Sequence, residues 1–541
     1  MRIEFLGGAR TVTGAAYRVQ GATSSVLVDC GLFQGARDLE ERNRRIHVYR
    51  PAQTDAVVLT HAHMDHAGLL PAFVKAGYSG PIYCTAATKD LCHILLLDSA
   101  HIQEMEAEWK TRKNLRKGMR PQEPLYTQEH ARRALELLRP MDYQERREVA
   151  PGIYVRFQDA GHILGSAAVE MWLNDPNQTV KVVFSGDLGR KHQPIIRNPQ
   201  VIEEAQVLLV ESTYGDRTHK SQEETVEEFR TILETAFRDR EKMIIPAFAV
   251  GRTQEVLYIL HELNRKGQLP SMPVFVDSPL ATAATEIFRK HPECFDGEAR
   301  AMIRNNEEPL DLPNLVFTRT VEESRSINEL NGPAIVISAS GMANAGRILH
   351  HLKHNLWRPK VHVLFIGFQA QGTLGRLLVE GARKVRIFGE SVAVRAQIHT
   401  LGGFSAHADR DEILDWVSHF RTPGIRIFVI HGEEKSSLAL AASLREKGFS
   451  RVEVPSYLES ADLAAWAPQE IAELPQAGVS ITERLTLVER RLRKLRKKFS
   501  RTETSRQVES AVDKKAQMLE ELLDQIEVIA GLGARSSDPT A

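Results

Sequence analysis

Cysteine, net charge and long apolar runs are all scarce in this sequence. The 541 residues include four cysteines, Cys30, Cys84, Cys92 and Cys294. They form no Cys-x-x-Cys pair, which excludes a disulfide framework and favours a reducing compartment. No apolar run is long enough to span a bilayer and no signal peptide is evident, so we expect a cytoplasmic protein without a membrane partner. Lys+Arg and Asp+Glu each total 70, so a nucleic acid would need a local basic surface.

The sequence has the ordinary composition of a globular protein, with 42% hydrophobic and 26% charged residues. Short β-branched runs alternate with amphipathic stretches, which predicts α/β layers. Polar residues follow several of these runs directly, at the strand ends where α/β folds place their sites. These residues are Asp29, His61, His162, Asp187, Glu211 and His431.

A second group of apolar runs lies in the middle of the chain, at 243–248, 273–279, 334–341, 361–368 and 384–388. It predicts a separate parallel-sheet unit. His407 and His431 follow this unit whereas the other candidate ligands precede it, so we expect an inserted domain. After about residue 460, apolar residues spaced by three and four predict two helices, which would form a hairpin or pair in a homodimer. The predicted division is 1–205 and 396–460 for one domain, 206–395 for the inserted domain and 461–541 for a helical C-terminal extension.

The densest chemistry lies in the run His61-Ala62-His63-Met64-Asp65-His66. Imidazole nitrogens and carboxylate oxygens together suit zinc or a similar divalent metal. Any one of the 20 histidines is more often a surface or core residue than a ligand, but four donors within six residues are hard to attribute to chance. Adding His162 and Asp187 gives six donors, more than the three protein ligands of a single catalytic zinc. We therefore predict two metal ions bridged by a carboxylate.

In the order of its motifs, the sequence resembles the β-CASP family of nucleic-acid-processing nucleases in the metallo-β-lactamase superfamily. The motifs, spread over residues 1 to 460, are the HxHxDH run, Gly161-His162, Ser185-Gly186-Asp187, Glu211-Ser212-Thr213-Tyr214-Gly215, Phe404-Ser405-Ala406-His407-Ala408-Asp409 and His431-Gly432-Glu433. The resemblance implies an αββα sandwich with an inserted parallel-sheet β-CASP domain. It also implies a ribonuclease, because family members with a histidine in the last motif are generally RNA-directed.

The resemblance assigns a role to each motif residue. The implied metal ligands are His61, His63 and His162 for one ion, Asp65, His66 and His431 for the other, and Asp187 as the bridge. Glu211 would orient His407, the general acid, and Asp29 would orient a ligand without binding metal itself. Two ions, Zn²⁺ or alternatively Mn²⁺, would lower the pKa of a shared water towards roughly 7 for attack on phosphorus. The expected products are a 5′-phosphate and a 3′-hydroxyl.

Loops of the inserted domain are predicted to contact the RNA backbone. In the β-CASP family the corresponding segments line the groove between the domains, and backbone N–H groups or a guanidinium there would bind phosphate. The candidates are Ser338, Ser340, Gly341, Arg347, Gln371, Gly372 and Arg252. Two basic segments are ambiguous. Residues 104–125 fit either a helix and loop beside the site entrance or a solvated surface, and 489–501 fit either a non-specific RNA-binding run or the solvated face of a coiled coil.

Three other functions stay open at this stage. A small-molecule hydrolase of the same superfamily, acting on a thioester, lactone or β-lactam, would have little need of the inserted domain. A DNA nuclease is a nearer alternative. A non-catalytic RNA-binding assembly subunit would be expected to have lost metal ligands that this chain keeps. The sequence does not decide between endonucleolytic and 5′-exonucleolytic cleavage.

Overall fold

The computed structural model describes residues 1–176, 178–367 and 369–463. Its strands are β1 Arg2–Gly7, β2 Ala16–Gln20, β3 Ser25–Val28, β4 Ala56–Val58, β5 Ile82–Cys84, β6 Leu138–Pro140, β7 Arg146–Ala150, β8 Ile153–Asp159, β9 Ala167–Asp175, β10 Gln178–Phe184, β11 Val207–Val210, β12 Lys242–Pro246, β13 Val274–Val276, β14 Leu315–Phe317, β15 Ala334–Ser338, β16 His362–Phe365, β17 Lys384–Ile387, β18 Glu390–Ala393, β19 Gln397–Thr400, β20 Arg426–Val429, β21 Arg451–Glu453 and β22 Ser460–Asp462.

Its α-helices are α1 Arg37–Arg42, α2 Met64–Ala67, α3 Leu70–Lys75, α4 Ala86–Leu115, α5 Gln128–Glu136, α6 Gln222–Arg238, α7 Arg252–Arg265, α8 Pro279–Lys290, α9 Gly297–Arg304, α10 Val321–Glu329, α11 Ile348–Asn355, α12 Leu374–Val379, α13 Arg410–Ser418 and α14 Glu434–Glu446. Short 3-10 helices lie at Ile46–Tyr49, Pro51–Gln53 and Pro292–Cys294. In the described ranges no helix is both long and apolar enough to cross a membrane. The predicted C-terminal helices lie outside the described residues.

Two seven-stranded sheets face each other. The strand order is β22-β1-β2-β3-β4-β5-β6 in the first sheet and β21-β20-β11-β10-β9-β8-β7 in the second. Their inner faces share one apolar layer, in which the rings of Phe5 and Phe428 lie 5.0 Å apart across the sandwich. Helices α2 to α5 cover the outer face of the first sheet, and α13 and α14 cover that of the second. This confirms the expected αββα sandwich.

A third sheet is inserted between two neighbouring strands of the second. The chain leaves the second sheet after β11 and returns at β20, which lies parallel to β11. The intervening sheet has the order β14-β13-β15-β12-β16-β19, and every adjacent pair in it is parallel. Helices α6 to α9 pack on one face and α11 and α12 on the other. The inserted parallel-sheet domain is therefore confirmed.

One predicted strand of the inserted domain does not join the parallel sheet. The run at 384–388 is predicted to join the parallel sheet, but β17 pairs antiparallel with β18 in a two-stranded hairpin. The reason is local, because Phe388 and Gly389 both adopt positive φ, as a two-residue hairpin turn requires. The domain boundaries at 206 and 395 stay a prediction. The strand at Val207–Val210 lies in the second sheet, and the strand at Gln397–Thr400 lies in the third.

Parallel strands bring the candidate ligands to one edge of the sandwich. Strands β3 and β4 are parallel in the first sheet, and β10, β11 and β20 are parallel in the second. The segments that follow these five strands carry Asp29, the HxHxDH run, Asp187, Glu211 and His431, whereas His162 and His407 come from other loops. The fold therefore collects at the strands' carboxyl ends residues that lie up to about 400 positions apart in the sequence.

Candidate metal centre

The HxHxDH run passes from a strand into a helix. β4 ends at Val58, His61 follows three residues later, and His63 is the residue before α2. Asp65 and His66 lie in α2 itself, which begins at Met64. The change from extended to helical backbone turns the four side chains towards one point. His61 and His66 are almost completely buried there.

Asp187 lies at the centre of the cluster. Its Oδ2 atom is 3.5 Å from Nε2 of both His61 and His162. Its Oδ1 atom is 3.2 Å from Nε2 of His66 and 3.4 Å from Nδ1 of His431. Gly186, with φ of 56°, adopts the left-handed conformation that turns the chain into this position after β10. One carboxylate thus faces two separate sets of donors with its two oxygens.

The first set consists of His61, His63 and His162. Nε2 of His61 and Nε2 of His162 lie 3.1 and 3.2 Å from Nδ1 of His63. The second set consists of Asp65, His66 and His431. Here Nε2 of His431 is 3.1 Å from Nε2 of His66 and 3.7 Å from Oδ2 of Asp65.

These spacings fit metal coordination. Ligand nitrogens about 2.0–2.1 Å from a tetrahedral zinc ion lie roughly 3.3–3.4 Å from each other, which is close to the separations within each set. The buried Oδ1 atom of Asp187 also lacks a hydrogen-bond partner among the described residues. Each set therefore has the donor chemistry and the spacing to hold one ion.

The electrostatics of the two sets differ. Burial lowers the pKa of His61 and His162 well below the usual histidine range and that of His63 to about 4. These imidazoles are therefore neutral at pH 7, the state that binds metal. Burial also opposes the charged form of His66, but Asp187 and Asp29 outweigh it and raise the His66 pKa well above the usual range. A cation bound by the second set would replace the proton that these carboxylates favour.

Asp29 and Thr60 hold the imidazole of His66 from behind. Oδ2 of Asp29 lies 2.8 Å from Nδ1 of His66, which leaves Nε2 facing the cluster. Asp29 accepts hydrogen bonds from the backbone N–H of Thr60 at 2.8 Å and from its hydroxyl at 2.9 Å. This is the contact that an orienting role for Asp29 requires. Sequence reasoning did not single out Thr60, and its position one residue before His61 was the only sign.

His407 lies at the edge of the cluster, in neither set. Its Nδ1 atom is 3.2 and 3.3 Å from the two carboxylate oxygens of Glu211 and 3.9 Å from Oδ2 of Asp187. Backbone N–H groups of Leu188 and Thr213 donate to Glu211 at 2.6 and 3.3 Å and fix its orientation. Burial opposes protonation of His407, but the carboxylates of Glu211 and Asp187 outweigh it and raise its pKa. With Nδ1 held by Glu211, Nε2 is the nitrogen left to donate a proton.

The loop that carries His407 is anchored by Asp409, a motif residue to which sequence reasoning gave no separate role. Asp409 is the N-cap of α13, and its Oδ1 accepts from the N–H groups of Asp411 and Glu412 at 3.0 Å. Its Oδ2 accepts from the N–H of His219 at 2.9 Å. The motif thus combines a proton-carrying side chain with the cap that fixes its backbone.

Two of the predicted phosphate-binding residues are engaged within the inserted domain. The Ser338 hydroxyl is buried and donates to the carbonyl of Asp277 at 2.9 Å. The Arg347 guanidinium lies 2.7 Å from Oδ1 of Asp277 and donates to the carbonyl of Arg319 at 2.9 Å. Both side chains therefore have internal partners in this structure.

The other five predicted RNA-contact residues differ in exposure. Arg252 forms an ion pair with Glu255, and only 11% of its side chain is exposed. The Ser340 hydroxyl is partly exposed and accepts from the N–H of Asn344 at 3.2 Å, and Gly341 is buried beside Phe248. The exposed candidates are Gln371 and Gly372. Contact of these residues with RNA stays a prediction.

Three family descriptions match the chain. They are the metallo-beta-lactamase superfamily over residues 9–247, the Beta-Casp domain over 253–378 and the Zn-dependent metallo-hydrolase RNA specificity domain over 391–455. Ribonuclease TTHA0252 of Thermus thermophilus is 39% identical over 448 residues, which cover 83% of this chain and 97% of that protein. The chain belongs to the β-CASP family.

Further β-CASP relatives include proteins named transcription termination factor FttA. That of Thermococcus kodakarensis is 32% identical over 483 residues, which cover 85% of this chain and 71% of that protein. That of Methanosarcina mazei is 30% identical over 465 residues, which cover 83% and 69%. The expectation of a metal-dependent hydrolase is confirmed by the family, and the structure holds histidine and aspartate clusters that could bind metal.

Proposed function

We propose that this β-CASP chain is a ribonuclease that hydrolyses RNA phosphodiester bonds with two divalent metal ions, giving 5′-phosphate and 3′-hydroxyl products. The observation that carries the proposal is the position of Asp187, whose two carboxylate oxygens face two different sets of donors. RNA as the substrate is supported by the RNA specificity domain matched at 391–455 and by the ribonuclease relative.

Each ion would have its own ligands. The proposed ligands are His61, His63 and His162 for one ion, Asp65, His66 and His431 for the other, and Asp187 for both. The five imidazoles in these two sets favour Zn²⁺, with Mn²⁺ as the alternative. When bound, such a pair supplies an activated water and neutralises charge on the phosphodiester.

His407 and Glu211 would complete the reaction at the leaving group. The departing ribose oxygen needs a proton, and His407 carries one near neutral pH because Glu211 and Asp187 raise its pKa. Glu211 fixes the tautomer through Nδ1, so Nε2 of His407 would donate. Since His407 belongs to neither metal set, the proton transfer can be disabled without removing a ligand.

The remaining predictions on this chain concern its organisation. We propose the domain division 1–205 with 396–460, 206–395 and 461–541, a cytoplasmic location, and homodimerisation through 461–541. A reducing compartment is consistent with the cysteines, because all four are free and buried.

The test is cleavage of matched single-stranded RNA and DNA, each labelled at either end, with and without added Zn²⁺ or Mn²⁺. We expect metal-dependent cleavage of RNA and none by an Asp65→Ala control. Internal fragments or released mononucleotides would distinguish endonucleolytic from exonucleolytic action. Equal cleavage of DNA would overturn RNA as the preferred substrate, and no cleavage of either polymer by fully metallated protein would overturn the proposal.

A further inference from the structure

The end of α4 and the turn after it carry a concentration of positive charge that the metal centre does not use. From Trp109 to Arg120 the sequence has six basic residues and no acidic one. The six, Lys110, Arg112, Lys113, Arg116, Lys117 and Arg120, are all exposed. Within the described part of the chain only Lys110 has an ion-pair partner, Glu106. We call residues 105–122 the basic arm.

The basic arm is held in place by its inner face. Ala107 is buried, and the Thr111 hydroxyl exchanges hydrogen bonds with the backbone of Gln122, donating at 3.1 Å and accepting at 2.9 Å. The side-chain amide of Asn114 donates to the carbonyl of Arg120 at 3.2 Å. The chain thus turns after α4 and runs back along the helix. These hydrogen bonds therefore fix the backbone that carries the basic residues.

The outer face of the arm combines the cations with exposed apolar side chains. Trp109 is 57% exposed and Met105, one helical turn before it, is 50% exposed. Nζ of Lys113 lies 5.1 Å from the centre of the Trp109 ring, one turn further along. An exposed aromatic ring beside exposed cations is the combination that binds single-stranded nucleic acid, since bases stack on the ring and phosphates contact the cations.

Helix stabilisation explains only part of this charge. Cations in the last turn of a helix interact favourably with its dipole, and Arg112 and Lys113 are so placed. Arg116, Lys117 and Arg120 lie beyond the last helical residue, and the dipole does not account for an exposed tryptophan among them.

The arm lies far from the metal centre along a rigid element. At the start of α4, the Thr88 hydroxyl donates to the carbonyl of Gly165, three residues after His162. Trp109 follows 21 residues later, or about 32 Å along the helix axis at 1.5 Å per residue. A stacked single strand advances about 3.4 Å per nucleotide, so roughly nine nucleotides would span this length.

We infer that the basic arm is a second contact site for single-stranded RNA, roughly nine nucleotides from the scissile bond. The distance to the scissile bond rests on the proposed function, because it assumes that the metal centre cleaves the same RNA. Charge complementarity identifies the occupant, because six cations against two carboxylates, Glu106 and Glu108, leave the arm with a net positive charge. That charge and one stacking platform match a polyanion with exposed bases. Long RNAs contact both the arm and the metal centre, whereas short RNAs contact the metal centre alone.

The test compares RNAs of 5 and 20 nucleotides in a His407→Ala background without added metal, so that cleavage is too slow to consume the RNA during the measurement. Binding is measured by fluorescence anisotropy for Trp109→Ala and for the double variant Arg116→Gln/Lys117→Gln. The matched controls are Trp357→Ala, which removes a tryptophan that is 54% exposed elsewhere, and Lys360→Gln/Lys447→Gln, which removes the same charge.

We expect Trp109→Ala to weaken binding of the 20-mer about 5-fold or more and to leave the 5-mer unchanged. The double variant should lower the slope of log affinity against log salt by about 1.4, from two lost phosphate contacts. Unchanged affinity for the 20-mer, or equal loss for both RNAs, would overturn the inference. So would a change in sedimentation or in binding to anionic vesicles without a change in RNA affinity.

The experiments give different results if the inference about the basic arm is wrong and if the ribonuclease proposal is wrong. Arm variants that bind the 20-mer normally, in a protein that cleaves RNA, would refute the arm alone. Length-dependent binding through the arm in a protein that cleaves no RNA would refute the ribonuclease and leave the arm.

Discussion

Replacing His407 by alanine should separate proton transfer from metal binding. Nδ1 of His407 is directed at Glu211, at 3.2 and 3.3 Å, and the side chain belongs to neither donor set. The variant should therefore keep its full metal content while losing RNA cleavage. Loss of a general acid costs about 10² to 10⁴ in rate, or roughly 2.7–5.5 kcal/mol in activation free energy. Since 22% of the His407 side chain is exposed, water can enter and supply some of the protons, which places the expected loss nearer 10².

A substrate whose leaving group needs no proton gives a sharper test of His407 than RNA does. Bis(p-nitrophenyl) phosphate releases a phenolate that departs without a proton, so His407→Ala should hydrolyse it at nearly the wild-type rate. Metal content is measured by elemental mass spectrometry on the same samples. Glu211→Gln, which keeps the shape but loses the negative charge, should show the same preference with a smaller loss. Equal loss on both substrates, or loss of metal from His407→Ala, would refute the assignment of His407 as the acid.

Substitutions at three further residues test other parts of the structure. Asp187→Ala should lose metal and activity together, because both donor sets share this carboxylate, and an elemental analysis showing full metal content would contradict its bridging position. Asp29→Ala should weaken metal binding about 10- to 100-fold by releasing His66, as measured by competition with a chelator, and unchanged affinity would remove its orienting role. Asp277→Ala should destabilise the fold by about 3–5 kcal/mol in urea unfolding and leave metal content unchanged, since it removes the buried carboxylate that partners the partly buried Arg347 and the buried His351. A loss below about 1 kcal/mol would show that this carboxylate is not needed for stability. Burial raises the pKa of Asp277, but four hydrogen bonds outweigh it and hold the pKa well below its usual range. Its stabilisation is therefore complete above about pH 4 and is lost as the pH falls through the folded-state pKa, so Asp277→Asn should show a flatter acid-unfolding profile than the wild type.

The features that sequence predicts here are those encoded over short distances. The spacing of the HxHxDH run alone predicts four candidate ligands, and the structure places their side chains in two neighbouring groups that could hold metal. Apolar runs locate most buried strands of the parallel sheet. The order of the motifs carries the resemblance to the family, and that resemblance predicts the αββα sandwich and the roles of the individual residues.

The features that sequence misses depend on partners far away in the chain. The ion pair of Asp277 with Arg347 joins residues 70 positions apart and engages a guanidinium predicted to bind RNA. The edge strand β19 is polar and partly exposed, so it lacks the apolar pattern of a parallel strand. Phe388 adopts positive φ, an unusual conformation for an aromatic residue, and the resulting turn sends β17 into a hairpin.

The central claim is that one carboxylate joins two metal sites, and anomalous X-ray scattering at the zinc edge tests it most directly. Crystals of the zinc-loaded protein should show two peaks about 3.5–4 Å apart, one on each side of Asp187. One peak should lie among His61, His63 and His162 and the other among Asp65, His66 and His431. A single peak at full occupancy in catalytically active protein, or two peaks that do not share Asp187, would contradict the account.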